Sequence, residues 1–263
     1  MDLVQATILA LIQGITEFLP ISSSGHLVLP SQVLGWPDQG LAFDTAVHLG
    51  SLVAVATFFW RDLVRYIRAG YQQLLLQRPS DDGQYAVCLL IASLPILPVG
   101  FLGRYFIEEN FRSIEVIAAT TIIFGLALWY ADRIRQAKPR IMTARNALLI
   151  GFAQCLALIP GTSRSGITIT AALMLGFSRS ESARFSFLMA IPTILGAAGL
   201  KLMDLVTDFG EPDWAALALG TAVAAASAYA CISLLMRWVD QIGFLPFVIY
   251  RLILGVILIG LVL

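Results

Sequence analysis

Pro20-Ile21-Ser22-Ser23-Ser24-Gly25-His26 and Pro160-Gly161-Thr162-Ser163-Arg164-Ser165-Gly166 are two polar islands in a hydrophobic chain, and they are built alike. The sequence on either side of each island is apolar enough to lie in a membrane, where polar side chains and broken backbone are costly. Such segments persist there when protein or a cavity covers them. The islands therefore bear on the fold and on the function together.

Composition supports the membrane setting. Of 263 residues, 58% are hydrophobic and 13% charged, with mean hydropathy +0.82. Soluble domains carry about 25% charged residues. A single integral membrane domain over residues 1–263 is expected. The formal net charge is zero, so no basic excess points to nucleic acid. The N-terminus has no basic region followed by a small-residue cleavage site, and no cleaved signal peptide is expected. Cys88, Cys155 and Cys231 lie apart in apolar stretches and read as small buried hydrophobes. A homo-oligomer is compatible with this composition, and membrane lipids are the surrounding partner.

Residues 41–60, 84–103, 114–131, 184–203, 214–236 and 244–263 each supply the roughly 20 apolar residues a spanning helix needs. The 61–82 loop carries Arg61, Arg65, Arg68 and Arg78; the 132–145 loop carries Arg133, Arg135, Lys138, Arg140 and Arg145. Clustered bases place both in the cytoplasm. The 204–213 loop carries Asp204, Asp208, Glu211 and Asp213 without a base, which fits the outside, and the C-terminus then also lies outside. Trp36, Trp60 and Trp129 fall near span ends as interfacial anchors.

Residues 1–35 and 146–177 are hydrophobic but broken by prolines and by the islands. Each reads as two short helices meeting at a polar turn, a re-entrant hairpin. Sliding the chain on itself by 141 residues aligns Gln13 with Gln154, Ser22 with Ser163, Ser24 with Ser165, Gly25 with Gly166, and Leu34-Gly35 with Leu175-Gly176. Each half, about 1–131 and about 146–263, would hold one hairpin and three spans. Three is odd, so the second half must be inverted. The expected fold is an all-α integral membrane protein, a polytopic helix bundle of six spanning helices plus two re-entrant helical hairpins in an inverted-topology repeat. Sites in such repeats lie where the broken helices converge.

The islands carry a definite chemistry. Gln13 and Glu17 share one helix face. Ser22, Ser23 and Ser24 precede a second helix, where hydroxyls cap free N–H groups and the helix end attracts anions. A lone Glu17 in an apolar helix is protonated, paired or functional. His26 can act as acid, base or nucleophile. Arg164 suits bidentate phosphate contact, with Glu17 as the alternative partner. Asp44 and His48 read as a local pair, Arg251 needs a partner or a route to the interface, and Arg179, Glu181 and Arg184 read as a membrane-edge cluster. If the hairpins converge, one pocket holds an acid, a histidine, hydroxyls and a cation, an inventory suited to phosphoryl transfer. No nucleotide-binding glycine loop accompanies it. The same architecture serves secondary transporters, so a lipid transporter is the rival class, and a scaffold leaves Glu17 and Arg164 unexplained.

The segments Gln13-Gly-Ile-Thr-Glu17-Phe-Leu-Pro20, Ser22-Ser23-Ser24-Gly25-His26, Pro160-Gly161-Thr162-Ser163-Arg164-Ser165-Gly166-Ile-Thr168, Phe185-Ser-Phe-Leu188 and Pro246-Phe-Val-Ile-Tyr250-Arg251 resemble the undecaprenyl-diphosphate phosphatases, the bacitracin-resistance protein family, over nearly the whole chain. The resemblance implies removal of the terminal phosphate of undecaprenyl diphosphate, a polyprenyl diphosphate lipid, to give the carrier for peptidoglycan synthesis. It further implies the bacterial inner membrane, a site facing the periplasm, and stimulation by a divalent cation (Mg²⁺ or Ca²⁺). By position, Glu17, Ser23, His26 and Arg164 would be catalytic. Ser22, Ser24, Thr162, Ser163 and Ser165 would hold phosphate oxygens, with Gln13 lining the pocket. The family pattern allows Glu or Gln at the first acidic position. With Gln13 there, Glu17 is the one carboxylate open to a metal, and a cation bound with the diphosphate is expected instead. Ser23, His26 or an activated water can be the nucleophile. In the preferred scheme Ser23 attacks, His26 manages the proton beside Glu17, and Arg164 stabilises the phosphoryl group.

Overall fold

The computed structural model describes residues 2–111, 113–135, 140–205 and 213–262. Its regular elements are all helical. The first half runs α1 (Leu3–Phe18), α2 (Ser23–Leu34), α3 (Gly40–Phe58), α4 (Trp60–Leu75), α5 (Asp81–Ser93), α6 (Ile96–Asn110) and α7 (Ile114–Ile134). The second runs α8 (Ala144–Cys155), a 3₁₀ turn (Leu156–Leu158), α9 (Arg164–Met174), α10 (Arg179–Leu205), α11 (Trp214–Ile242) and α12 (Leu245–Val262).

Local chemistry sets the hairpins. Asp2 accepts the Gln5 N–H at 2.7 Å while the Gln5 side chain accepts the Asp2 N–H at 3.3 Å, a reciprocal cap that starts α1. Pro20 disfavours helix at the residue before it, and Leu19 is extended (φ −71°, ψ 145°). The chain turns and α2 folds back on α1. It ends at Gly35 in the left-handed conformation (φ 66°), a common helix stop. The pair α8 and α9 follows the same plan, with Gly176 left-handed (φ 89°) beyond α9.

Five stretches are long and apolar enough to cross a membrane: Gly40–Phe58, Asp81–Gly103, Ile114–Ile134, Arg179–Gly199 and Trp214–Ile242. The sixth expected span, 244–263, falls on α12, which belongs with Leu3–Phe18 and Ala144–Leu158 among the shorter apolar helices. The second span is bent, because Leu94 and Pro95 separate α5 from α6 and proline lacks the donor a continuous helix needs. Large apolar side chains such as Val53, Phe101, Ile123, Leu195 and Val256 are exposed along these helices, the surface that lipid covers and water does not tolerate. The chain is a multi-pass helical membrane protein.

The 61–82 segment, expected as a loop, is largely helix α4. Arg61, Arg65 and Arg68 recur at helical spacing, and so do Val64, Ile67, Tyr71 and Leu74, which are exposed. Tyr66, Ala69 and Gly70 are buried. A basic helix with an exposed apolar side suits the membrane surface. The acidic 204–213 segment divides: α10 continues to Leu205 and Asp213 caps α11, whereas Asp208 and Glu211 lie outside the described residues, as does Lys138.

Packing centres on α3 and α10. α11 lies against α3 and α1; α10 against α3, α5 and α9; α7 against α12 and α9; α5 against α8. A Cβ at Gly50 would lie 2.4 Å from the Thr221 carbonyl oxygen on α11, so these helices approach at a distance that glycine permits. The ends are tied by charge. Asp132 accepts from Arg179 Nε and Nη2 at 2.7 Å each and from Arg135 Nη1 at 2.7 Å. Arg184 pairs with Asp62 at 2.7 Å. The arginines of the expected membrane-edge cluster thus fasten α10 to α7 and α4.

Candidate functional site

Both hairpin tips carry a serine in a backbone conformation rare outside glycine. Ser22 has φ 75° and Ser163 φ 72°, and each sits immediately before the second helix of its hairpin. Strain of this kind persists where surrounding contacts over-determine it. Ser163 Oγ accepts the Gly166 N–H at 3.1 Å, whereas Ser22 makes no side-chain cap bond.

The tips meet. Ser165 Oγ donates to the Leu19 carbonyl at 2.9 Å. Arg251 of α12 is fully buried and reaches both. Its Nη1 donates to Pro20 O at 3.1 Å and Thr162 O at 3.0 Å. Its Nη2 donates to Gly161 O at 2.9 Å and Thr120 O at 3.3 Å, and its Nε to Thr121 O at 3.0 Å. One guanidinium thus clasps the two turns against α7. Gly161 (φ 86°) is required here, since a Cβ would fall 2.2 Å from Thr120 Oγ1 and 2.6 Å from Ile117 O.

Glu17 is the hub. Its Oε1 accepts from Arg164 Nη2 at 3.0 Å, and its Oε2 accepts from Ser23 Oγ at 2.7 Å and Gln13 Nε2 at 3.0 Å. Arg164 is further held by the Ser186 carbonyl at 3.3 Å and lies over the Phe18 ring. A buried charge survives when paired and hydrogen-bonded, and this carboxylate is both. A hydroxyl already donating to a buried base, with a cation alongside, is the arrangement of an activated nucleophile facing an anionic group. Glu17, Ser22, Ser23, Ser24, Ser163 and Arg164 open onto one cavity of ≈ 220 Å³.

Other expected site residues are placed differently. Ser165 spends its hydroxyl on Leu19, and Thr162 is buried with its carbonyl on Arg251. Gln13 is fully buried behind Glu17. His26 has both ring nitrogens engaged away from Glu17: Nδ1 is 2.6 Å from the Ser22 carbonyl and Nε2 is 2.6 Å from the Tyr250 hydroxyl, with the two rings stacked. His48, read as Asp44's local partner, does reach the site. Its Nε2 lies 3.9 Å from Glu17 Oε2, while its Nδ1 bonds the Asp44 backbone carbonyl at 2.6 Å. The Asp44 carboxylate instead accepts from Gln39 Nε2 at 3.0 Å.

The donor set does not make a protein-built metal site. Both Glu17 oxygens are committed to hydrogen-bond donors, Gln13 turns its amide nitrogen toward them, and among the described residues no group of three His, Cys, Asp or Glu side chains is placed to hold an ion.

Fold and site together define a class: helical membrane proteins with a buried carboxylate, hydroxyl and guanidinium assembled where two helix-turn tips converge. The model of the bacitracin resistance protein BacA family matches residues 6–257, and the chain belongs to that family. Curated relatives agree over nearly the full length. The undecaprenyl-diphosphatase of Alcanivorax borkumensis is 53% identical over 260 residues, covering 98% of both chains. Those of Alteromonas mediterranea and Chromohalobacter salexigens are 52% identical, again over 98% of both chains.

Proposed function

We propose that this chain is a membrane hydrolase that removes the terminal phosphate of undecaprenyl diphosphate. It yields inorganic phosphate and undecaprenyl phosphate, the lipid carrier for peptidoglycan synthesis. By this route it contributes to the bacitracin resistance that names its family. The family and its named relatives support the reaction. The observation that carries it in this chain is the Arg164–Glu17–Ser23 cluster across the two tips.

Ser23 Oγ attacks the terminal phosphorus as its proton passes to Glu17 Oε2. The bond from phosphorus to the bridging oxygen breaks, and the electron pair leaves with undecaprenyl phosphate. Protonation removes the charge of Glu17, which frees Arg164 to stabilise the oxygens of the phosphoryl group. Ser22, Ser24 and Ser163 offer hydroxyls around the cavity. Water then releases the phosphate from Ser23. His26 steadies the first tip through Ser22 and Tyr250. A divalent cation, Mg²⁺ or Ca²⁺, would be held by the diphosphate itself and would offset its charge.

The protein spans the bacterial inner membrane six times, as two inverted halves, with the site facing the periplasm. Matching φ values at Ser22 and Ser163 and at Gly35 and Gly176, each pair 141 residues apart, support the repeat. So does the packing: α3 meets α10 and α7 meets α12 across the halves, while α1 on α11 is matched by α8 on α5. A cavity of ≈ 680 Å³, lined by Asp38, Gln39 and Asp44, opens where α2 joins α3. That end of α3 is remote from Arg61 and Arg65, which the positive-inside rule places in the cytoplasm.

Detergent-purified protein should release phosphate from undecaprenyl diphosphate and lose this activity in Arg164→Ala. Absence of release by folded wild type would remove the phosphatase reading and favour lipid transport.

A further inference from the structure

The two histidines differ in what their rings have free. A carbonyl oxygen only accepts, so each Nδ1 that faces a carbonyl carries the hydrogen, and each Nε2 of the neutral ring is a lone pair. In His26 that lone pair receives the Tyr250 hydroxyl. In His48 it faces the site, 3.9 Å from Glu17 Oε2, with the ring partly open to the cavity. The Asp44 carbonyl fixes this tautomer, the orienting role that a third group plays for catalytic histidines.

Proton accounting in the proposed reaction asks for such a group. After Ser23 attacks, Glu17 holds the serine proton and must return it when the phosphoserine bond breaks. Glu17 therefore cannot also take the proton of the incoming water. Among the described residues lining the site cavity, Glu17, His48 and Arg164 are the titratable ones, and a guanidinium has no acceptor to offer a water proton. His48 also lines the larger ≈ 680 Å³ cavity that adjoins the site, so it stands between the two.

We propose that His48 is a catalytic residue, the general base that activates the water which frees phosphate from Ser23. This rests on the phosphatase reading above. The water oxygen forms a bond to phosphorus and the phosphorus–Oγ bond breaks. The electron pair returns to Oγ, which recovers its proton from Glu17. The water proton passes to His48 Nε2 and leaves to solvent through the larger cavity.

The test is single- and multiple-turnover hydrolysis of undecaprenyl diphosphate labelled on its terminal phosphate, by wild type, His48→Ala and His48→Gln. In the variants, undecaprenyl phosphate should appear in one stoichiometric burst. Steady-state phosphate release should fall ~10²-fold or more, the usual weight of a general base, and labelled phosphate should accumulate on Ser23. Added imidazole should restore release in His48→Ala, which a purely structural role would not allow. His48→Gln carries the same measurements if the alanine variant does not fold. Phosphate release within a few-fold of wild type would overturn the assignment. So would slow turnover without phosphoprotein. If wild type itself released no phosphate, the phosphatase reading would fail before this step was reached.

Discussion

At the first tip Ser22 stands at φ 75° with its hydroxyl 3.4 Å from that of Ser24; at the second, Ser163 stands at φ 72° with its hydroxyl 3.2 Å from that of Ser165. The backbones agree over these residues, and the side chains between the serines do not. Ser23 occupies one middle position and Arg164 the other. Glu17 on the first hairpin is matched by Leu158 on the second, and His48 by Met189. Gln13 supports the carboxylate, while its counterpart Gln154 accepts from Thr193 at 3.2 Å. The first tip brings a hydroxyl to the carboxylate, the second a cation. The two turns share one backbone geometry and display different chemistry on it.

The largest expected effect tests that split. Arg164→Ala and Ser23→Ala should each lower phosphate release by ~10³-fold or more, the scale on which a transition-state arginine acts. Comparable activity in either variant would mean that the tips do not share a reaction centre. Glu17→Gln should cost stability as well as activity. It leaves Arg164 buried without its anion, a loss of about 3–5 kcal/mol, readable as a lowered thermal midpoint in detergent. Gly161→Ala should destabilise by about 1–3 kcal/mol, because the left-handed backbone and the Thr120 contact both oppose a methyl group. Pro20 holds the matched position in the first tip, so the asymmetry can be measured directly. The smallest effect separates the two strained serines. Ser163→Ala should cost about 1 kcal/mol for a lost helix cap. Ser22→Ala should leave the midpoint nearly unchanged, since Ser22 caps nothing. Equal losses would mean that the tips are energetically alike.

Much of this was legible in the sequence because it is local. Helical spacing puts Gln13 beside Glu17, proline ends α1, and the polar islands mark the turns. Arg164 needs an anion, and Glu17 is one of the partners the sequence offers. Non-local meetings were not legible. His26 faces Tyr250, 224 residues away. His48 reaches Glu17 because α3 packs on α1, and its nearness to Asp44 in sequence suggested a simpler pairing. Arg251 announced a need without naming its partners. In 61–82 the count of arginines hid the apolar spacing of Val64, Ile67, Tyr71 and Leu74, which makes α4 a helix.

The Arg251 clasp has a consequence for how such a protein changes over generations. All five of its hydrogen bonds end on main-chain oxygens of Pro20, Thr120, Thr121, Gly161 and Thr162. The fastening is blind to which side chains the turns display. Mutation can therefore exchange a hydroxyl or a charged group at either tip while the clasp keeps the two turns in register. New specificities could arise at this centre by substitution alone, with the assembly that presents them inherited intact.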